Sequence, residues 1–340
     1  MRSFDELLEI AVEKGASDLH LTVGAAPILR INGELVPLEG EGAYSPDDLQ
    51  AILWPAIEEP YQEIYEEQGE VDFSLSLPGV GRFRCNLYRQ RGSIGIAVRI
   101  VSATIPSLDE LGLPPVVQVL CQKRNGLILV TGPAGSGKST TLAAMIDLIN
   151  SSRPNVIITL EDPIEYLHRH RLSVVNQREV GHDTKSFASG LRAALREDPD
   201  VILVGEMRDL ETMSTAINAA ETGHLVLSTV HTRGATWAVE RLVSVFPAHQ
   251  QQQVRMQLAS VLQGVISQLL LPRLDGKGMV PAVEVLVQTP AVANIIREGK
   301  PHQLKAAMEI GARHGMQTME AALAELVRRG LVDPRTILEG

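Results

Sequence analysis

The chain has 340 residues, a formal net charge of −10, 44% hydrophobic residues and 4% aromatic ones. That length is enough for two domains with ordinary cores. Net acidity and few aromatics argue against a nucleic-acid translocase, which needs clustered Lys and Arg and ring faces for base stacking.

Two cysteines, Cys85 and Cys121, cannot build a four-cysteine zinc site and would make a poor disulfide framework. No stretch reaches the roughly 18 uninterrupted apolar residues of a membrane span. The opening Met1-Arg2-Ser3-Phe4-Asp5-Glu6 lacks the apolar region of a signal peptide. The expectation is a soluble, cytoplasmic protein with no direct membrane insertion, free to dock on a membrane protein.

Ser3 and Glu6 have capping-box spacing, and Phe4, Leu7, Leu8 and Ala11 form one helical face that Gly15 ends. Residues 18–23 read as a strand. Asn32-Gly33, between apolar runs at 27–31 and 34–36, supplies the positive φ angles of a type I′ hairpin. Ser45-Pro46 opens a second helix. Val71, Phe73, Leu75 and Leu77 alternate, as do Phe83, Cys85 and Leu87, and a further strand covers 94–101. This pattern predicts a small α+β domain over 1–101, then a linker over 102–115.

From Gly126 strands alternate with helices. Apolar runs at 127–130, 156–160, 201–204 and 225–230 fit parallel strands buried on both faces. Leu210, Met213, Ile217 and Ala220 make a helical stripe between the last two. The prediction is a doubly wound α/β core over 116–290, followed by a helical segment over 291–340 broken at Gly299, Gly315 and Gly330. The first helix of that segment should present Ala291, Ile295 and Ile296 as its apolar face.

After the first of these strands comes Gly132-Pro133-Ala134-Gly135-Ser136-Gly137-Lys138-Ser139, with Thr140 opening a helix. Strand, glycine-rich turn and helix are the context a phosphate-binding loop requires. The glycines let successive N–H groups point at phosphate oxygens. Lys138 brings charge to the β- and γ-phosphates, and Ser139 offers a hydroxyl to Mg²⁺. ATP with Mg²⁺ is therefore the expected ligand.

In such sheets ligands sit beyond the carboxyl ends of the strands. The other three strands are followed by Glu161-Asp162-Pro163-Ile164-Glu165, by Gly205-Glu206-Met207-Arg208-Asp209 and by His231-Thr232. Glu161 and Glu206 are candidates to orient water and help hold Mg²⁺, and His231 to follow the γ-phosphate. A single carboxylate after a strand is more often a helix cap, but three such coincidences beside an intact phosphate loop favour function. His224 and His231 lie seven residues apart on one strand, about 23 Å at 3.3 Å per residue, so one metal cannot join them within a subunit.

The phosphate loop, the 161–165 and 205–209 runs and the box from Gly223 to Thr232 resemble the secretion ATPase superfamily. Within it, Ala16-Ser17-Asp18-Leu19-His20-Leu21, the 295–304 stretch and Gly315-Met316-Gln317-Thr318-Met319 are similar to the type IV pilus retraction (twitching-motility) ATPases. The resemblance implies a PAS-like N-terminal domain, a RecA-like ATPase core and a C-terminal helical bundle. It also implies a homohexamer whose N-terminal domain packs on the neighbouring nucleotide domain, acting on an inner-membrane pilus platform protein. Gly205 stands where most P-loop ATPases carry a Mg²⁺-binding Asp, a departure the superfamily shares; Glu206 is then the carboxylate of that motif and, with Ser139, a metal ligand. Arg82, Arg84 and Arg99 become candidates to reach a neighbour's nucleotide. Which glutamate polarises the water stays open. The extension and secretion members usually add an N-terminal domain and a four-cysteine motif, which makes them the second reading for this chain.

Overall fold

Local capping chemistry starts the first helices. Ser3 Oγ accepts from the Glu6 N–H while the Glu6 carboxylate accepts from the Ser3 N–H, which opens α1 (Phe4–Glu13). Ser45 and Asp48 repeat the arrangement one helix later. Each such cap contributes about 1 kcal/mol by satisfying N–H groups that the first turn leaves unpaired. The computed structural model describes residues 1–102, 104–276 and 278–335. It divides into two compact units, Met1–Ala103 and Thr104–Gly340.

In the first unit α1 is followed by β1 (Asp18–Leu21), β2 (Ile28–Ile31), β3 (Glu34–Pro37), α2 (Pro46–Leu53), α3 (Glu59–Gln68), β4 (Glu70–Leu77), β5 (Gly81–Gln90) and β6 (Ser93–Val101). The strands form an antiparallel sheet in the order β3-β2-β1-β6-β5-β4. Asn32 and Gly33 have φ of 52° and 87°, as the hairpin between β2 and β3 requires. Phe83, Cys85 and Leu87 point into the core with α1 and α2. The alternate positions carry the arginines. Arg84 lies directly opposite Arg99, and Arg99 opposite Asp18, with an Arg99 Nε–Asp18 Oδ1 distance of 2.9 Å. Arg82 donates to Ser76 Oγ at 3.1 Å. Arg89, of the other parity, donates to the Tyr65 carbonyl and lies 5.1 Å over the Tyr65 ring, so it leaves that face.

The second unit runs α4 (Val116–Cys121), β7 (Gly126–Thr131), α5 (Lys138–Ser152), β8 (Val156–Glu161), β9 (Val174–Glu179), α6 (Phe187–Ala194), β10 (Val201–Val204), α7 (Leu210–Glu221), β11 (Leu225–Val230), α8 (Ala235–Ser244), α9 (Ala248–Val261), β12 (Leu262–Pro272), β13 (Met279–Val287), α10 (Pro290–Arg297), α11 (Leu304–Ile310) and α12 (Met319–Arg328). Its sheet has the order β13-β12-β7-β11-β10-β8-β9, parallel from β12 to β9, with β13 antiparallel at one edge. The four expected strands are its centre. β9 and the β12–β13 hairpin extend it on both sides. Two apolar layers cover the sheet, one with α6 to α10, the other with α4 and α5. Leu108 and Leu113, from the stretch expected as linker, are buried in the second of these.

The register fixes the level at which each strand stops. Leu160, Val204, Ser228 and Leu129 lie side by side across the centre. Glu161 therefore lies one residue beyond that level, still paired with β9, Glu206 one residue further out, and His231 and Gly132 one further still.

The C-terminal helices pack on the core rather than standing apart. α10 lies on α9, and α12 covers β13 through Ala322 and Leu326. The buried face of α10 is Val292, Ala293 and Ile296. Ala291 is exposed and Ile295 half-buried, which corrects the expected face. Thr289 caps this helix through the Val292 N–H with Pro290 in its first turn, and packing on α9 takes Val292, Ala293 and Ile296 inward and leaves Ala291 outside.

Gly315 has φ of 80°, and a Cβ there would come within 2.7 Å of the Val116 side chain on α4. Gly315→Ala is expected to destabilise the protein by about 1–3 kcal/mol, from backbone strain plus overpacking, and thermal unfolding checks it.

Candidate functional site

A cleft of about 240 Å³ opens beyond the carboxyl ends of the central strands and is lined by Lys138, Ser139, Glu161, Glu206, Arg208 and His231, among others. Three glycines shape the loop beside it, of which Gly135 lines the cleft. Gly132, Gly135 and Gly137 have φ of 145°, 73° and 84°. A Cβ on Gly132 would lie 2.4 Å from the Gln268 carbonyl oxygen, so β12 leaves no room for a side chain there. Ala134 and Gly135 line the cleft, Gly137 precedes the first turn of α5, and Ser136 is buried with an Oγ that has no hydrogen-bond partner.

Lys138 is the first residue of α5 and is buried. Its ammonium donates to the carbonyls of Gly132 at 3.1 Å and Pro133 at 2.7 Å. Burial lowers its pKa below the ordinary lysine value, and the charges of Glu206 and Glu165 oppose that shift. An ammonium held only by carbonyl oxygens is a desolvated cation without an anionic partner in contact, which phosphate oxygens would supply. Thr140 Oγ1 lies 2.9 Å from the Tyr166 hydroxyl and ties the start of α5 to the loop after Glu161.

The two glutamates have different surroundings. Glu161 is half-buried, and its Oε1 accepts from Thr159 Oγ1 at 2.6 Å and Gln177 Nε2 at 3.0 Å. Burial raises its pKa above the usual carboxylate value; these donors oppose the rise and the nearby Glu165 charge adds to it. Glu206 is also pushed up by burial, but Arg208 and His231 outweigh that and leave it low. Arg208 Nε lies 2.7 Å from Glu206 Oε2, and His231 Nε2 lies 3.2 Å from Oε1. A pair of carboxylates pushed in opposite directions suits acid–base work by one and fixed negative charge by the other.

Gly205, in place of an Asp, has a physical reason here. A Cβ would sit 3.1 Å from the Leu160 carbonyl oxygen and 3.4 Å from the Phe187 ring. His231 begins a turn held from both sides. Thr131 Oγ1 donates to the Thr232 carbonyl at 2.6 Å and accepts the Thr232 N–H at 3.1 Å. Beyond it the buried Glu284 of β13 accepts the N–H of Ala235 at 2.7 Å and of Met319 at 3.2 Å, capping α8 and α12 together.

Sequence reasoning missed Thr159, whose hydroxyl reaches Glu161 two residues on, and Tyr166, Gln177 and Glu284, whose roles depend on contacts with other segments of the chain. His168 was missed as well. It lines the cleft with a buried Nδ1 that has no partner, and burial, helped by Arg171, pushes its pKa down to about 4. His224 sits at the opposite end of β11, its Nδ1 2.9 Å from the Ala219 carbonyl, apart from the cleft as expected. Arg192 pairs with Glu211.

Among the described residues no group of three or more His, Cys, Asp and Glu could hold a metal ion. Mg²⁺ bound with a nucleotide needs only one or two protein oxygens and completes its shell with phosphates and water. Ser139 and Glu206 line the same cleft and can serve as those oxygens. Among the described residues, no helix is long and apolar enough to cross a membrane.

Residues 83–333 match the family model described as type II/IV secretion system protein. The chain belongs to that family. A type IV pilus retraction ATPase of Pseudomonas aeruginosa, PilT, is 45% identical over 332 residues, 96% of this chain and 94% of the relative. A twitching motility protein of Neisseria gonorrhoeae is 46% identical over 308 residues, 91% of this chain and 82% of the relative. The crystal structure of the pilus retraction motor PilT with bound ADP matches with a TM-score of 0.91 at 50% identity, covering 100% of this chain and 97% of that one. The fold of this family member is thus that of a pilus and secretion ATPase.

Lys138→Ala removes the ammonium that rests on the carbonyls of the phosphate loop. It is expected to weaken nucleoside triphosphate binding and abolish turnover while leaving the circular dichroism spectrum and melting temperature near wild type. ATP titration and a phosphate-release assay check this together.

Proposed function

We propose that this protein is the ATP-hydrolysing motor of type IV pilus retraction, the activity carried by the names of its full-length relatives. The observation that supports it most is the convergence of Lys138, Glu161, Glu206 and His231 on one cleft in a chain of this family. The N–H groups of 132–139 and the Lys138 ammonium hold the β- and γ-phosphates. Glu161, with its raised proton affinity, orients the attacking water and takes up its proton as the bond from the γ-phosphorus to the leaving oxygen breaks and ADP departs. Mg²⁺, held by Ser139 and Glu206, would neutralise phosphate charge. His231, tied to Glu206, responds to the γ-phosphate and passes its presence through the Thr232–Ala235 turn to Glu284.

The reading extends to a homohexamer in the cytoplasm that acts on an inner-membrane pilus platform protein, without nucleic acid as a partner. The division 1–101, 102–115, 116–290 and 291–340 is its domain plan. Arg82, Arg84 or Arg99 delivers positive charge to a neighbour's nucleotide; Arg99 would have to leave Asp18 to do so. Mixing Lys138→Ala subunits with subunits carrying Arg82→Ala, Arg84→Ala or Arg99→Ala should restore part of the ATPase activity, because some interfaces then hold one intact half from each chain. No rescue with any arginine, in rings shown to be mixed, contradicts the in-trans role.

The exposed charges of 297–300 carry motion outward. The Lys300 ammonium lies 2.8 Å from Glu298 Oε2, and Gln252 holds the Arg297 carbonyl, so the segment is braced on α9. Arg297→Ala or Lys300→Ala should keep ring assembly and most ATP turnover but lose pilus retraction in cells. Joint loss of assembly and turnover would make the segment structural instead.

A further inference from the structure

Gln177 lies on β9, the edge strand whose existence the sequence pattern hides, and it does not line the cleft. In the parallel register of β8 and β9 it sits directly beside Thr159. Glu161 follows Thr159 by two residues, so both side chains leave the same face of β8. The Gln177 amide makes three hydrogen bonds, both of its donors among them. Nε2 donates to Glu161 Oε1 at 3.0 Å and to the Tyr166 carbonyl at 2.8 Å, and Oε1 accepts the His168 N–H at 2.8 Å. The reverse orientation of the amide would set its NH₂ against the His168 N–H, so the network allows one orientation.

We propose that Gln177 is the positioning residue of the hydrolytic site, holding the Glu161 carboxylate in place with one donor while its remaining contacts lock the 166–168 segment that walls the cleft. The proposal rests on the reading that Glu161 orients the attacking water. Without Gln177 the Glu161 carboxylate would keep only donors from its own stretch of chain, the Thr159 hydroxyl and the Glu165 backbone N–H; the Gln177 donor comes from a different strand and fixes the carboxylate in a further direction. The same amide reaches Tyr166, whose hydroxyl meets Thr140 at the start of α5. One side chain on β9 thereby links the water-orienting carboxylate to the phosphate loop.

Glu161 shares the cleft with Asp162, Glu165 and His168 on the following segment, with Lys138, with Glu206 and Arg208, and with His231. Of these Glu165 acts on it both ways: its backbone N–H opposes the effect of burial, and its charge, the smaller influence, adds to it. A donor to the ionised carboxylate favours ionisation. Removing that donor leaves more of Glu161 protonated at a given pH, so the acidic limb of turnover must move to higher pH.

The test compares the full-length wild type with Gln177→Met, Gln177→Glu and Glu161→Gln. Gln177→Met keeps the length and loses all three contacts. Gln177→Glu keeps an acceptor for the His168 N–H but, ionised, cannot donate to Glu161. Both Gln177 variants are expected to lower kcat about ten- to a hundredfold, the range that losing an outer-shell partner costs elsewhere, with ATP affinity near wild type. Both should shift the acidic limb of the kcat profile upward in pH, Gln177→Glu more. If Glu161→Gln abolishes turnover while Gln177→Glu keeps wild-type kcat and an unmoved limb, the inference fails and the reading of Glu161 stands. If Glu161→Gln itself turns over at the wild-type rate, the underlying reading fails. Loss of ATP affinity and melting temperature in Gln177→Met, with no limb shift in Gln177→Glu, would reduce Gln177 to a scaffold residue and also overturn the proposal.

Discussion

The parallel register of β8, β10, β11 and β7 is the constraint on which everything else in the second unit depends. Because Leu160, Val204, Ser228 and Leu129 lie level, the residues that follow emerge from the sheet in a graded series, with Glu161 innermost and His231 and Gly132 outermost. Slipping one strand by a residue would turn its buried side chains to the other face and carry its functional residue away from the others. Burial enforces the register: all of β7, β10 and β11 is inaccessible to solvent, so their side chains pack on both faces. Side chains add local locks, with Ser228 Oγ donating to the Val204 carbonyl at 2.7 Å and Thr229 Oγ1 to the Gly205 carbonyl at 2.6 Å. The core thus acts as the template of the site.

Electrostatics then divides the labour. Glu161 gains its environment from burial and from neutral donors, whereas Glu206 is held between Arg208 and His231. One carboxyl is easier to protonate than usual and the other harder. Phosphoryl transfer asks little covalent chemistry of the protein and depends on positioning and charge, which is what this division provides. Lys138 is the third party, its ammonium resting on carbonyls of its own loop. Glu284 joins the cleft to the C-terminal helices, because one buried carboxylate caps both the helix after the His231 turn and α12.

What the sequence made legible was local. The 132–139 loop and the acidic residues after each strand could be read because strand, turn and helix follow one another within a few residues, and burial on both faces leaves an unbroken apolar run. Asn32-Gly33 and the Ser3 and Ser45 caps were legible for the same reason. β9 was not: Val174-Val175-Asn176-Gln177-Arg178-Glu179 has four polar residues in six, as an edge strand's sequence can, and only pairing with β8 makes it a strand. The β12–β13 hairpin has continuous apolar runs that suit helix and strand alike. Gln177 and Glu284 were invisible for a related reason, since each acts on chain segments distant in sequence. The α10 face was misread because packing against α9, a contact with other parts of the chain, sets which side turns inward.

The most direct test of the account is a structure of the protein with Mg²⁺ and a non-hydrolysable ATP analogue. It predicts that the Lys138 ammonium leaves the Gly132 and Pro133 carbonyls for the β- and γ-phosphates. It also predicts that a Glu161 oxygen lies about 3 Å from a water placed in line with the γ-phosphorus. A nucleotide bound with Lys138 still on its own carbonyls, or with Glu161 remote from any such water, would contradict it.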